Sequence, residues 1–294
     1  MSRGRQDRSM PSETVEAPEF TAEAIHYVDD PSFDPETVAL VTGAASGIGR
    51  ATALALAANG LTVAGVDVDE AGLAETIGET ETLDTAGRIE PLPADLTDDA
   101  AIEAAVEAAT KLGSLSYVAN IAGFQHIDPI EEFPMDTYDR MHAVMVRAPL
   151  YLSQLALPAI RESGDGTGCI GNMASVHGHY VTAEKVGYNV SKFALRGLTQ
   201  SIAAEGDGEV RSFSVSTGYV ATPLVVDQIP DTAASRGLSE REVVEDVLLG
   251  QARRKELMAP VDVANLFVLG FSELATHLNG GDLLFDGGMT GTYS

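Results

Sequence analysis

The side chains best placed to do chemistry lie between Asn172 and Lys192, in NMASVHGHYVTAEKVGYNVSK. Ser175 is followed thirteen residues later by Tyr188, and Lys192 comes four residues after that. On a helix, a Tyr and a Lys at i and i+4 share one face, with Cβ atoms roughly 6 Å apart. A phenol with a pKa of about 10 is a poor acid or base at neutral pH, and an ammonium beside it favours the phenolate and lowers that pKa. A phenol tuned in this way can give a proton to a carbonyl oxygen or take one from an alcohol, while the serine hydroxyl holds the same oxygen. The competing reading is a surface helix with an incidental Tyr and Lys. The serine at this spacing, together with a glycine turn far upstream, favours catalysis.

That turn is TGAASGIG, Thr42–Gly49. It follows a short apolar run rich in β-formers, Thr37–Val41, and precedes RATALALAANG, which is apolar at helical spacing. Strand, glycine turn and helix in this order suit a pyrophosphate: the glycines admit the backbone closely, and the helix start supplies N–H groups. The spacing is G-x-x-x-G-x-G (Gly43, Gly47, Gly49) and not G-x-G-x-x-G. A second strand, 61–66, ends at Asp67, whose carboxylate is placed to accept hydrogen bonds from both ribose hydroxyls of NAD and to repel a 2′-phosphate. No Arg or Lys follows closely, and the alternative role for Asp67 is a helix N-cap.

Further strands are expected at 89–93, 115–120, 168–173, 210–215 and 282–285, with helices at 98–112, 136–160, 187–205 and 261–271. Asp95-Leu96 follows the third strand, placed to meet an adenine ring. The fourth strand leads into NIAGFQH, where Gly123 lets the chain pass close to a cofactor and Asn120 is better suited to tying strands together than to chemistry. The fifth strand delivers Ser175, and the helix after it carries Tyr188 and Lys192. Alternating strands and helices specify an α/β protein: a single-domain, Rossmann-type, doubly wound parallel sheet with helices on both faces. Residues 1–35 read as a polar extension, better taken as a disordered tail without function than as a part of the body, although a short element around Phe20–Tyr27 could pack there. Residues 36–294 form the catalytic domain, with a substrate lid at about 217–254.

Composition narrows the classes of partner. The chain has 294 residues, 45% of them apolar, enough for a sizeable core. No apolar run reaches the roughly 18 residues needed to span a bilayer, and no signal peptide is evident, so a cytoplasmic location is expected. Cys169 is the only cysteine, which leaves no disulfide and no expectation of a metal site. A net charge of −26, from 44 acidic and 18 basic residues, argues against nucleic acid and anionic membrane as partners. The acid is spread along the chain, as on proteins of salt-loving organisms. Only four of the basic residues are lysines, and two of those, Lys185 and Lys192, flank Tyr188.

Over residues 37–288 the chain resembles the short-chain dehydrogenase/reductase family. TGAASGIG, Asp67, NIAG, the Ser175/Tyr188/Lys192 set and a closing DGG follow the family's order. The resemblance implies an NAD-dependent oxidoreductase, usually a homotetramer. Its cofactor would be held by Gly43, Ser46, Gly47, Ile48, Gly49, Asp67, Asp95, Leu96, Asn120, Ala122, Gly123, Tyr188, Lys192, Gly218, Val220 and Thr222. Two positions depart from the family: Thr217 stands for the usual proline before Gly218. Met145 stands where an asparagine usually extends a proton relay from the lysine through water, so only a backbone carbonyl is left for that task. Within the family, GFQHIDPIEEFP, NMASVHGH, EKVGYNVSK and LVVDQI are similar to D-3-hydroxybutyrate dehydrogenases. That similarity implies a substrate carboxylate held by Gln125, His177, Lys185 and Gln228, beside Ser175 and Tyr188. The subfamily's tryptophan after DGG is Met289 here. A small hydroxy acid needs a cation and several neutral donors close to the reacting carbon, in agreement with this set. The alternatives are a sugar or polyol dehydrogenase of the same fold, or an NAD-binding regulatory protein with little turnover.

Overall fold

A computed structural model describes residues 20–292, apart from Thr82, Asp84 and Ala86. Seven strands make one parallel sheet: β1 (Thr37–Thr42), β2 (Thr62–Asp67), β3 (Arg88–Pro93), β4 (Ser114–Asn120), β5 (Gly168–Met173), β6 (Val210–Thr217) and β7 (Gly281–Phe285), in the order β3-β2-β1-β4-β5-β6-β7. Successive residues of β1 point to opposite faces: Ala39 and Val41 join one hydrophobic layer, Val38 and Leu40 the other. The first layer is closed by α1 (Gly47–Ala58), α2 (Glu70–Thr80) and α10 (Pro260–Phe271). The second is closed by α3 (Asp99–Leu112), α5 (Ala148–Arg161) and α6 (Val186–Glu205). Strands covered on both faces read as near-continuous apolar runs, as β1 does. The strand order reverses between β1 and β4, and a crevice opens beyond their C-terminal ends.

Several expectations change in detail. α2 was absent from the expected elements, and Asp69 caps it by accepting N–H bonds from Ala71 and Gly72, each at 3.1 Å. The helix expected over 136–160 is interrupted: α4 (Met135–His142) runs through a π-helical stretch, Ala143–Arg147, into α5. Taken as one unit, Met135–Arg161 is long and apolar enough to cross a membrane by length and composition. It packs on the sheet, however, with Leu152, Ala156 and Ile160 buried in the second layer, and Arg147 in its midst pairs with Asp99 at 2.7 Å. The expected lid, 217–254, starts at the last residue of β6, Thr217, and holds α7 (Pro223–Val226), α8 (Ile229–Arg236) and α9 (Glu240–Glu242), followed by a π-helical stretch, Val243–Leu248.

The segment before β1 divides in two. Residues 1–19 lie outside the described residues. Residues 20–35 are fastened to the body: Asn265 donates to the Ala24 carbonyl at 2.9 Å and accepts from the His26 N–H at 2.8 Å. Asn59 accepts from the Val28 N–H at 2.8 Å, and Asp30 accepts from the Glu273 N–H at 2.6 Å. Ile25 is buried in the first layer.

Candidate active site

The glycine turn leaves β1 with Gly43 at φ 75° and Gly47 at φ 53°, a region where a Cβ is strained. A Cβ on Gly49 would lie 1.9 Å from the Gly43 carbonyl oxygen, so helix α1 can start this close to the turn only with glycine there. Asp67 ends β2 and folds back on the turn, its Oδ2 accepting the Ala45 N–H at 3.1 Å. Because Asp69 caps α2, the N-cap alternative for Asp67 falls away.

A cavity of about 370 Å³ runs along the crevice. Of the residues expected at the cofactor, Gly43, Ser46, Gly47, Ile48, Gly49, Asp67, Asp95, Leu96, Ala122, Gly123, Tyr188, Lys192, Gly218, Val220 and Thr222 all line it. Asn120 does not. It is buried beneath the wall, where its amide donates to Asn172 at 2.9 Å and Asn172 donates to Thr199 at 2.9 Å. The Asn120 amide nitrogen thus ties β4 to β5, as the sequence suggests, while its Oδ1 is buried without a hydrogen-bond partner. Asp95 is tied into its own turn by the Thr97 N–H and hydroxyl, at 2.9 and 2.8 Å, which hold its carboxyl below the usual range. A glycine cradle that no Cβ could enter, a helix start and an acidic group at the end of β2 together fit a dinucleotide.

Ser175, Tyr188 and Lys192 line this same cavity. Lys192 is buried. Its Nζ donates to the Met173 carbonyl at 2.6 Å and lies 5.2 Å from the centroid of the Tyr188 ring. Burial pushes the Lys192 ammonium down to about 8. Burial likewise pushes the Tyr188 phenol up to about 12, with a hydrogen bond from Ser175 pulling the other way and Tyr219 adding to the rise. The expected lowering of the phenol's pKa by its lysine is not seen here: desolvation, which penalises both charged forms, dominates. Met145 is fully buried in the π-helical stretch, and its thioether would meet a Cβ on Gly123 at 3.0 Å.

The four residues expected at a substrate carboxylate do not line the cavity. His177 is buried beside Ser175: its Nδ1 lies 3.3 Å from the Ser175 Oγ, and its Nε2 lies 3.1 Å from the Thr182 Oγ1. Both ring nitrogens are thus engaged within the protein. Burial and the charges of Lys185 and Lys192 push the imidazole down to about 4, so it is neutral near pH 7. Lys185 precedes α6, half-buried; its carbonyl accepts the Asn189 N–H at 2.8 Å, while its ammonium has no hydrogen bond or ion pair among the described residues. Its Nζ sits 6.0 Å from the centroid of the Tyr219 ring, and burial lowers its pKa. Gln125 is half-buried next to Phe124, which does line the cavity. Gln228 stands apart: its amide donates to the Leu224 carbonyl, and it lines a separate depression with Ile127, Asp227 and Asp231. Its side chain is spent on the turn at the start of α8.

Sequence reasoning passed over three neighbours. Arg140 lines the cavity and lies 5.6 Å from the Phe124 ring centroid, yet nothing in the sequence separates it from a solvated arginine. Tyr219 and Thr182 flank Lys185 and His177, and an isolated Tyr or Thr in a loop carries no pattern. Met289 packs with Val176, Leu249 and Ala252, and the Tyr180 hydroxyl donates to its sulfur at 3.2 Å. The C-terminal turn thereby closes over the serine loop.

A parallel sheet of this order with Ser, Tyr and Lys at the end of a glycine-lined crevice defines a dinucleotide-dependent oxidoreductase. The chain matches the short chain dehydrogenase family over residues 37–233 and belongs to it. It is 32% identical over 254 residues to a D-beta-hydroxybutyrate dehydrogenase of Rhizobium meliloti (strain 1021), covering 86% of this chain and 98% of that one. It is also 32% identical over 259 residues to a D-threitol dehydrogenase of Mycolicibacterium smegmatis, covering 86% and 92%. The structure of an L-sorbose reductase from Gluconobacter frateurii, complexed with NADPH and L-sorbose, superposes with a TM-score of 0.82 at 26% identity, covering 88% of this chain and 98% of that one.

Proposed function

We propose that this short-chain dehydrogenase interconverts a short 3-hydroxy acid and its 3-keto acid with NAD, D-3-hydroxybutyrate and acetoacetate being the foremost pair. The observation that carries the proposal is Lys185: a half-buried ammonium without a carboxylate partner, close enough to His177 to depress its pKa, just before the helix that bears Tyr188. An unpaired cation in a desolvated place suits an anionic substrate group. The relative in Rhizobium meliloti named for this activity supports the same substrate class. Asp67 at the end of β2 supports NAD over NADP.

Bound NAD supplies the hydride acceptor. Ser175 holds the substrate oxygen, and Tyr188 takes the alcohol proton on oxidation or returns it on reduction. Lys192, anchored on Met173, favours the phenolate as it forms. Gln125 and Lys185 are assigned to the carboxylate. His177 and Gln228 would reach it only by giving up bonds they make within the protein. The proposal extends to a cytoplasmic homotetramer adapted to high salt.

A second reading, a polyol or sugar dehydrogenase, is favoured by those same occupied side chains and by the threitol and sorbose enzymes among the similar proteins. NADH production across short 3-hydroxy acids, polyols and sugars, at low and high salt, separates the two. Turnover of D-3-hydroxybutyrate at least tenfold above any polyol is expected, and the reverse order would assign the polyol reading. Cofactor binding without turnover of any member of a broad panel would point to the regulatory alternative.

A further inference from the structure

Ser175, His177 and Thr182 form a hydrogen-bonded row along the serine loop. Only one direction of this row gives the Thr182 proton an acceptor among the described residues. Among the described residues, the Thr182 hydroxyl has no hydrogen-bond partner but the His177 Nε2, at 3.1 Å, and in that direction its proton is aimed there. The Thr182 carbonyl is itself taken, accepting from Asn189 at 2.9 Å, which fixes the residue in place. A neutral imidazole whose Nε2 accepts must carry its proton on Nδ1. That Nδ1–H then donates to the Ser175 Oγ at 3.3 Å. The same oxygen accepts the His177 backbone N–H at 3.2 Å. With its lone pairs engaged from one side, the serine can direct its own proton only outward, toward Tyr188 and the cavity.

We infer that Thr182, acting through His177, is a positioning residue that fixes the imidazole tautomer and so makes Ser175 a hydrogen-bond donor to the substrate oxygen. The inference rests on the reading of Ser175 as the group that holds that oxygen. It assigns His177 to the serine and not to a substrate carboxylate, and so it applies equally to acidic and neutral substrates.

Removing the Thr182 hydroxyl leaves Nε2 without a donor and frees the ring to place its proton on either nitrogen. Ser175 would then spend its proton on Nδ1 for part of the time. One hydrogen bond of this kind is worth about fivefold in rate.

The test uses the full-length enzyme with the best acidic and best neutral substrates that the wild type turns over. Thr182→Val should lower kcat about fivefold for both, with KM and NADH affinity unchanged, and Thr182→Ser should restore kcat. His177→Asn, whose amide can stand where Nδ1 stands, should retain more activity than His177→Gln, whose amide reaches only the Nε2 position. Unchanged kcat in Thr182→Val would overturn the inference. So would a loss confined to the acidic substrate, or better retention by His177→Gln, because either places the ring on the carboxylate. Ser175→Ala is the control: if it keeps wild-type kcat, the reading of the serine fails and the row with it. If Ser175→Ala is inactive while Thr182→Val is normal, only the row fails.

Discussion

The carboxylate of Asp67 is bonded to the backbone of the glycine turn: its Oδ2 accepts the Ala45 N–H at 3.1 Å, and its Oδ1 accepts the Asp69 N–H at 3.0 Å. These bonds hold a negative charge at the rim of the cavity, where an adenosine ribose would sit, with no basic residue beside it on β2 or the turn after it. A 2′-phosphate brought there meets like charge at short range. The expected outcome is kcat/KM for NAD at least tenfold above that for NADP, with the gap narrowing in Asp67→Asn. Equal values for the two cofactors in the wild type would mean that Asp67 serves the turn alone.

Gly49 is the most sterically constrained residue of the same turn. A Cβ there would stand 1.9 Å from the Gly43 carbonyl oxygen, which requires a backbone shift. Gly49→Ala should therefore lose measurable NADH binding by fluorescence titration while the rest of the sheet stays folded. Retained affinity would show that the turn can relax without cost.

Tyr188→Phe removes only the hydroxyl that moves the proton. Groups of this kind contribute roughly 10²–10⁴-fold, so turnover should drop by that amount while NADH affinity stays within about twofold. A variant keeping more than about a hundredth of the wild-type rate would pass the acid/base role to another group.

Much of this arrangement was legible before the structure. β1, the turn and α1 announce themselves because a buried parallel strand is an unbroken apolar run and a glycine turn has few other uses. Tyr188 and Lys192 are legible because helical periodicity alone puts them on one face. α2 was missed because its apolar face is weak: Gly72, Leu73 and Thr76 are its only buried residues. Helical spacing carries no mark of the π-helical stretch at Ala143–Arg147, in which Met145 is the buried residue. The carboxylate set is least legible, since motif order says nothing of which way a side chain turns: Gln228 bonds the Leu224 carbonyl four residues before it, and His177 is held between Ser175 and Thr182.

His177 also makes a prediction about stability. Its pKa in the fold is about 4, set by burial first and then by Lys185 and Lys192, against an ordinary value of about 6.5. Between these values the unfolded chain binds a proton that the folded chain refuses, so stability rises with pH across this window and is lost as pH falls through it. The full difference amounts to about 3 kcal/mol. Denaturant unfolding of wild type and His177→Asn, compared from pH 7 to pH 4, should show the wild type losing more. Parallel curves would mean that the imidazole can ionise where it sits.

Lys185 offers the test of the proposed substrate class. Its ammonium is half-buried, carries a pKa lowered by desolvation, and has Tyr219 as its nearest ring and no anion among the described residues. Leaving a cation desolvated costs stability, and the cost is offset where a ligand carboxylate completes the pair. Removing a charge-assisted contact of this kind costs about 1.5–3 kcal/mol, or roughly 10- to 150-fold in kcat/KM. Lys185→Ala should thus cripple oxidation of 3-hydroxybutyrate, spare a neutral alcohol of similar size, and leave the folded state equally or more stable by thermal melt. Equal loss on both substrates would place the lysine in service of the Tyr188 helix. Unchanged kcat/KM on the acid would remove the main support for a hydroxy-acid substrate and favour the polyol reading.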